Sequence, residues 1–185
     1  MNTPILFIFS GLPGAGKTTL AQGLARETGA VYLRIDTIEQ ALRDLCQFKV
    51  EGEGYRLSYR VAKDNLLQGN SVIADCCNPI ALTREEWQQV ALSVGARYIN
   101  IEVYCSDESE HRFRVEHRMN TVANLVLPTW EAVQQRHYEP WDANSVASGD
   151  VVRIDTQGEA IEVSVQTLLA LLRGEKRYGQ GSHKR

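Results

Sequence analysis

The sequence is short of cysteine pairs, long apolar runs and surplus positive charge, and each shortage removes a class of protein. Its four cysteines, Cys46, Cys76, Cys77 and Cys105, contain no CxxC and no spacing suited to a zinc site or a disulfide framework. They read as reduced thiols in a cytoplasmic protein. The apolar run 5–9 is too short for a membrane span or a signal core, so no membrane partner is implied. Twenty Lys and Arg against 23 Asp and Glu leave a net charge of -3, which provides no global field for coating nucleic acid by counterion release. An N-K-x-D that would read guanine is absent, there is no internal repeat, and His111, His117 and His137 lack metal-ligand spacing and are expected at the surface.

What the chain does have is enough apolar composition, 43% of 185 residues, to fill one core and too little length for two ordinary domains or an AAA+ machine. Strand-length apolar runs at 5–9, 31–35, 71–74, 98–103 and 151–154 alternate with segments of helical spacing, the pattern of an α/β fold with a mostly parallel sheet covered on both faces. Helices are predicted over 17–28, 38–47 and 55–68. A further one has Thr83 and Glu86 as a capping box, and the last covers 159–172. The segment 107–119 has helical period but is heavily charged, 121–127 reads as loop, and Pro128 with Thr129 starts a short helix through Tyr138. Together, about 107–140 has the look of a lid. One domain over 1–172 is expected, with 173–185 as a disordered tail.

Directly after the first strand stands Gly11-Leu12-Pro13-Gly14-Ala15-Gly16-Lys17-Thr18, a complete G-x-x-x-x-G-K-[ST] motif in its required strand–loop–helix setting. Small residues let successive amides converge on phosphate oxygens, the helix opening at Lys17 aims its positive end at them, and the ammonium adds a full charge. Thr18 offers a hydroxyl to Mg2+, while Thr19 matches no fixed position and is read as supporting the loop.

In a parallel sheet the carboxyl ends of the strands share one edge with such a loop, so Asp36 and Asp75 border the ligand crevice. Asp36 can accept the proton of an acceptor hydroxyl or hold that hydroxyl in line; its plainer reading is the N-cap of the helix over 38–47. Asp75 can organise a magnesium-bound water or orient the acceptor, or only stabilise its loop. Arg114 and Arg118, four apart, share a face of the charged helix and can close over a nucleotide, stabilising the migrating phosphoryl group and excluding water.

These residues resemble the kinase group that includes phage-type polynucleotide 5'-hydroxyl kinase, chloramphenicol phosphotransferase, gluconate kinase and the zeta toxins. The marks are the loop from Gly11 to Thr18, Asp36, the run ending at Asp75 with Asn78, Pro79 and Arg84, and the pair Arg114 and Arg118 before a Pro-led helix. The resemblance implies a three-layer P-loop NTPase sandwich with sheet order 2-3-1-4-5 and a helical lid. It implies ATP with magnesium, Asp36 as catalytic carboxylate and Arg118 as the principal lid arginine. Adenine would lie between Arg114 and the loop holding Gln157. Where the polynucleotide kinases carry an arginine three residues after the aspartate, this chain has Glu39, which repels a substrate phosphate. Arg43 partly compensates. The acceptor is therefore read as a neutral or cationic small molecule with a hydroxyl. A polynucleotide 5'-hydroxyl is the alternative acceptor, and an ATP-dependent regulatory or toxin-pair module the alternative outside enzymes. Oligomeric state is not encoded in any of these marks.

Overall fold

Along β1 (Ile5–Ser10) the side chains alternate between the two faces of a sheet, and both faces are covered: Leu6 and Ile8 point one way, Phe7 and Phe9 the other, and none is more than 5% exposed. β2 (Val31–Arg34), β3 (Val72–Asp75), β4 (Arg97–Tyr104) and β5 (Val151–Asp155) join it in the order β2-β3-β1-β4-β5, every pair parallel. This is the order the family resemblance implies. The computed structural model describes residues 3–47, 49–142 and 150–178.

The helices are α1 (Lys17–Thr28), α2 (Ile35–Cys46), α3 (Glu53–Leu67), α4 (Ala81–Leu92), α5 (Glu108–Glu116), α6 (Trp130–Gln134) and α7 (Ile161–Tyr178). Leu20 and Leu24 of α1 and Leu168 of α7 pack on Phe7, Phe9 and Ile101. On the opposite face Ala62 and Leu66 of α3 and Trp87 and Ala91 of α4 pack on Leu6, Ile8 and Val72. Each Leu, Ile or Phe buried completely in these two layers contributes about 1.5–3 kcal/mol. The result is a three-layer sandwich whose strands all deliver their carboxyl ends to one edge.

Several boundaries differ from the sequence reading, for local reasons. α2 begins at Ile35, three residues earlier than its apolar spacing suggests, with Arg34 in the cap position and no side-chain cap bond. Asp36 therefore lies in the first turn of α2, where a carboxylate suits the helix dipole, and is not an N-cap. α4 likewise starts early, at Ala81, so that Thr83 bonds back to the Ile80 carbonyl and Glu86 accepts from the Tyr59 hydroxyl; no capping box forms. α5 is capped by Asp107, whose carboxylate accepts from the Glu110 amide at 2.8 Å, and ends at Glu116. Arg118 lies beyond it, so the shared helix face predicted for Arg114 and Arg118 does not exist. α6 is capped by Thr129 and stops at Gln134, short of Tyr138. The final helix has the bounds Ile161–Tyr178, past the end at Leu172 that the sequence suggests; residues 179–185 of the expected tail lie outside the described set.

Candidate active site

The loop between β1 and α1 is built against the sheet edge. The Gly11 amide donates to the Cys77 carbonyl at 3.0 Å, and Gly11 has φ of 136°. A Cβ there would stand 2.1 Å from the Val103 carbonyl oxygen, and one on Gly14, with φ of 83°, would stand 2.5 Å from Val115 Cγ2. Strand β4 and the lid therefore both require glycine. Gly11→Ala is expected to destabilise the fold by about 3 kcal/mol or more, combining left-handed strain with a backbone clash. At this chain length that is roughly a 6–12 °C lower melting temperature, which calorimetry or circular dichroism reads directly.

Lys17 is buried, and its Nζ donates to the Leu12 carbonyl at 2.8 Å, so the ammonium is folded over the loop. The first turn of α1 has no acidic residue to compensate its dipole, leaving the positive end for an anion. Pro13 crowns the loop. Ala15 is buried, and its carbonyl accepts from Thr156 Oγ1 at 3.0 Å.

Two cavities open on this edge. One, about 290 Å³, is lined by Gly14, Gly16, Thr19 and Leu20 from the loop and α1, with Arg114 and Thr156 across from them. The other, about 360 Å³, is lined by Asp36, Glu39 and Arg43 of α2, by Asp75 and Cys77, and by Arg136. Pro13 borders the second. Lys17, Thr18 and Arg118 line both. Arg118 thus lies where the two cavities meet, on an irregular segment rather than a helix. It has no hydrogen bond or ion pair among the described residues. Thr19 proves to be a wall residue of the first cavity.

Arg114 is held: its guanidinium donates to Thr156 Oγ1 and O, both at 2.7 Å, and to Glu110. Gln157 faces away from the cavity, exposed, its side chain accepting from the Ser106 hydroxyl. Its neighbour Thr156 lines the first cavity, because the turn after β5 directs alternate side chains to opposite sides.

Asp36 is half-buried and has no hydrogen bond or ion pair among the described residues, so its carboxylate is uncommitted. Asp75 is the opposite case. It is 4% exposed, and its Oδ2 accepts from the Tyr32 hydroxyl at 2.7 Å. Burial holds its carboxyl above the usual carboxylate range; the Tyr32 bond, the Lys17 charge and the Thr18 hydroxyl pull it back, and the charge of Asp36 adds to the rise. Burial, reinforced by the charge and hydrogen bond of Asp75, pushes the Tyr32 phenol well above its ordinary value, keeping it a donor.

A carboxyl group raised by folding stabilises the protein below its unfolded pKa near 4, and that contribution is lost as pH rises through the raised value. Asp75→Asn is therefore expected to melt above the wild type at pH 8 without nucleotide, with a smaller gap at pH 5. Thermal melts of the two proteins at both pH values check this.

Thr18 and Asp75 bring a hydroxyl and a carboxylate to the wall of the same cavity. Two hard oxygens suit Mg2+, which takes few protein ligands and fills its shell from phosphate and water. No group of three or more His, Cys, Asp or Glu suited to a metal occurs among the described residues.

The lid is fastened to the loop by a residue that sequence reasoning placed at the surface. His111 is buried, its Nε2 lies 2.8 Å from the Pro13 carbonyl, and its ring meets Trp130 edge-on. Val115, Trp130 and Val133 complete this contact over Leu12. Helical period alone could not show it, since the partner lies 98 residues away. Arg84 is a strut: buried, it donates to the Asn78 and Glu139 carbonyls and lies between the rings of Tyr138 and Trp141.

A family model described as an AAA domain matches residues 6–140. The chain belongs to the AAA_33 family. The match covers the P-loop, both strand-end aspartates and the lid. Solved structures share the AAA_33 chain's fold over nearly its whole length. A gluconokinase from Sinorhizobium meliloti aligns with TM-score 0.68 at 16% identity, covering 98% of this chain and 100% of its own. The Mycobacterium tuberculosis APS kinase CysC, in complex with AMPPNP and APS, aligns with TM-score 0.66 at 16% identity over 94% and 99%. Chaetomium thermophilum Kti12, in complex with ADP-AlF3, gives 0.65 at 18% over 91% and 97%. Identities this low establish the common fold. No curated protein sequence matches the chain.

Proposed function

We propose that this chain is an ATP- and magnesium-dependent phosphotransferase that moves the terminal phosphoryl group to a hydroxyl of a small molecule. The observation that carries this reading is the meeting of two cavities at Lys17, Thr18 and Arg118, with Asp36 on the second cavity alone. The first cavity is the donor's and the second the acceptor's.

The donor phosphates rest on the loop from Gly11 to Gly16 and on the ammonium of Lys17. Arg114 and Thr156 wall the nucleotide. Thr18 and Asp75 would hold Mg2+, which when bound neutralises charge on the phosphate oxygens. Asp36 holds the acceptor hydroxyl in line and takes its proton as the acceptor oxygen bonds to phosphorus and the bond to the bridging oxygen of ADP breaks. Arg118, with no hydrogen bond or ion pair among the described residues, meets the negative charge on the migrating group. His111 and Trp130 close the lid over the loop, limiting loss to water. The kinase names of the gluconokinase and the APS kinase support this reading, as do the nucleotides in the CysC and Kti12 complexes. The setting proposed is the cytoplasm, where free thiols stay reduced; no described helix is long and apolar enough to cross a membrane.

An acceptor screen tests the reading. ADP release with Mg-ATP should rise at least about tenfold over background hydrolysis with some hydroxylated small molecule, together with a phosphorylated product. Nucleotide binding with no phosphorylated product from any acceptor would support a regulatory module instead.

A further inference from the structure

The acceptor cavity is lined by four cationic side chains, of which the proposed donor role takes two and an ion pair a third. Lys17 and Arg118 are shared with the donor cavity and serve the phosphates. Arg43 faces Glu39 at 3.4 Å and Gln40 at 3.5 Å. Arg136, which follows α6, belongs to the acceptor cavity alone and has no carboxylate within ion-pair distance among the described residues. Among the described residues its Nη1 meets only Cys77 Sγ, 3.9 Å away, and a thiol is a weak acceptor.

Glu39, which in the sequence argued for a neutral or cationic acceptor, is occupied. Arg43 partners it, it packs against Gly54, and burial holds its carboxyl above the usual range despite Arg43. Another wall, formed by Leu125, Val126, Leu127 and Pro128, offers no polar side chain. With Lys17 and Arg118 given to the donor phosphates, the polar demand of the cavity comes from the Asp36 carboxylate and the Arg136 guanidinium. A guanidinium binds a planar carboxylate through two parallel hydrogen bonds, and one such charge balances one carboxylate. A phosphate dianion would bring a second negative charge into a cavity that already contains Asp36 and Glu39, without a further free cation. The volume, about 360 Å³, holds roughly a dozen water-sized groups, which limits the acceptor to a compact molecule.

We infer that Arg136 selects the acceptor, and that the acceptor is a compact hydroxylated carboxylic acid whose carboxylate pairs with Arg136 while a hydroxyl meets Asp36. The inference rests on the kinase reading and adds the chemical class of its substrate.

The test uses acid and alcohol pairs on one carbon skeleton: glycerate with glycerol, threonate with threitol, gluconate with glucitol. Binding to the full chain with Mg-AMPPNP is followed by ligand-observed NMR, and turnover with Mg-ATP by ADP release. In at least one pair the acid should bind or react at least about tenfold better than the alcohol. Arg136→Gln should abolish that preference and Arg136→Lys should restore part of it, with Mg-ATP affinity unchanged in both. Equal behaviour of acid and alcohol, a preference that survives Arg136→Gln, or failure of every acid to bind a protein that takes up Mg-ATP would each overturn the substrate class and leave the kinase reading standing. Failure to take up Mg-ATP at all would instead remove the reading on which the class depends.

Discussion

Asp36→Asn is expected to lower kcat for acceptor phosphorylation by roughly 10²–10⁴-fold, the usual range for loss of a positioned general base. Nucleotide binding should change little, because Asp36 lines the acceptor cavity and not the donor cavity. The substitution keeps size and hydrogen-bonding shape while removing the basic oxygen, and no hydrogen bond among the described residues depends on the carboxylate. The fold should therefore be unaffected, and the loss should appear in kcat with acceptor KM changed far less. Rapid-quench measurement of phosphorylated product separates the chemical step from product release. Undiminished turnover would take Asp36 out of the mechanism.

Arg118→Ala should cost roughly 10²–10³-fold in kcat, the scale of one charged donor aimed at developing negative charge. It should also change the partition of ATP. With the junction of the two cavities no longer guarded by a cation, the ratio of ADP formed to acceptor phosphorylated should rise above one. Arg114→Ala should behave differently. Its guanidinium is tied to Thr156 and Glu110, so its removal should loosen the nucleotide wall, raising KM for ATP and lowering thermal stability more than kcat. The contrast between a free arginine and a bound one separates charge stabilisation from scaffolding.

Much of this arrangement was legible in the sequence because it is carried by short-range pattern. Continuous apolar runs at 5–9 and 71–74 mark buried strands, and the P-loop motif is contiguous, so the site's phosphate end follows from local chain geometry. Asp36 and Asp75 were placed at the right edge because parallel strands put all their carboxyl ends together, although α2 starts earlier than its apolar spacing shows. What escaped is long-range. Tyr32 meets Asp75 only through β2–β3 pairing, and His111 reaches Pro13 only once the lid has folded back. Thr156, not Gln157, lines the nucleotide cavity because of the turn after β5. Arg136 carries no signal in its sequence neighbourhood; it stands out only because no carboxylate lies within ion-pair distance of it among the described residues. A helical period likewise suggested that Arg114 and Arg118 share a face, whereas α5 ends first and Arg118 reaches the junction from irregular backbone.

All of these effects presuppose that the turn from Gly11 to Gly16 and the ammonium of Lys17 hold a nucleotide's phosphates. Titration calorimetry of the purified chain with Mg-ATP, alongside Lys17→Ala, tests that most directly. The account predicts saturable binding by the wild type, weakened at least about tenfold in the variant, in line with loss of one charge-assisted contact. No uptake of Mg-ATP by the wild type, or equal uptake by Lys17→Ala, would contradict it.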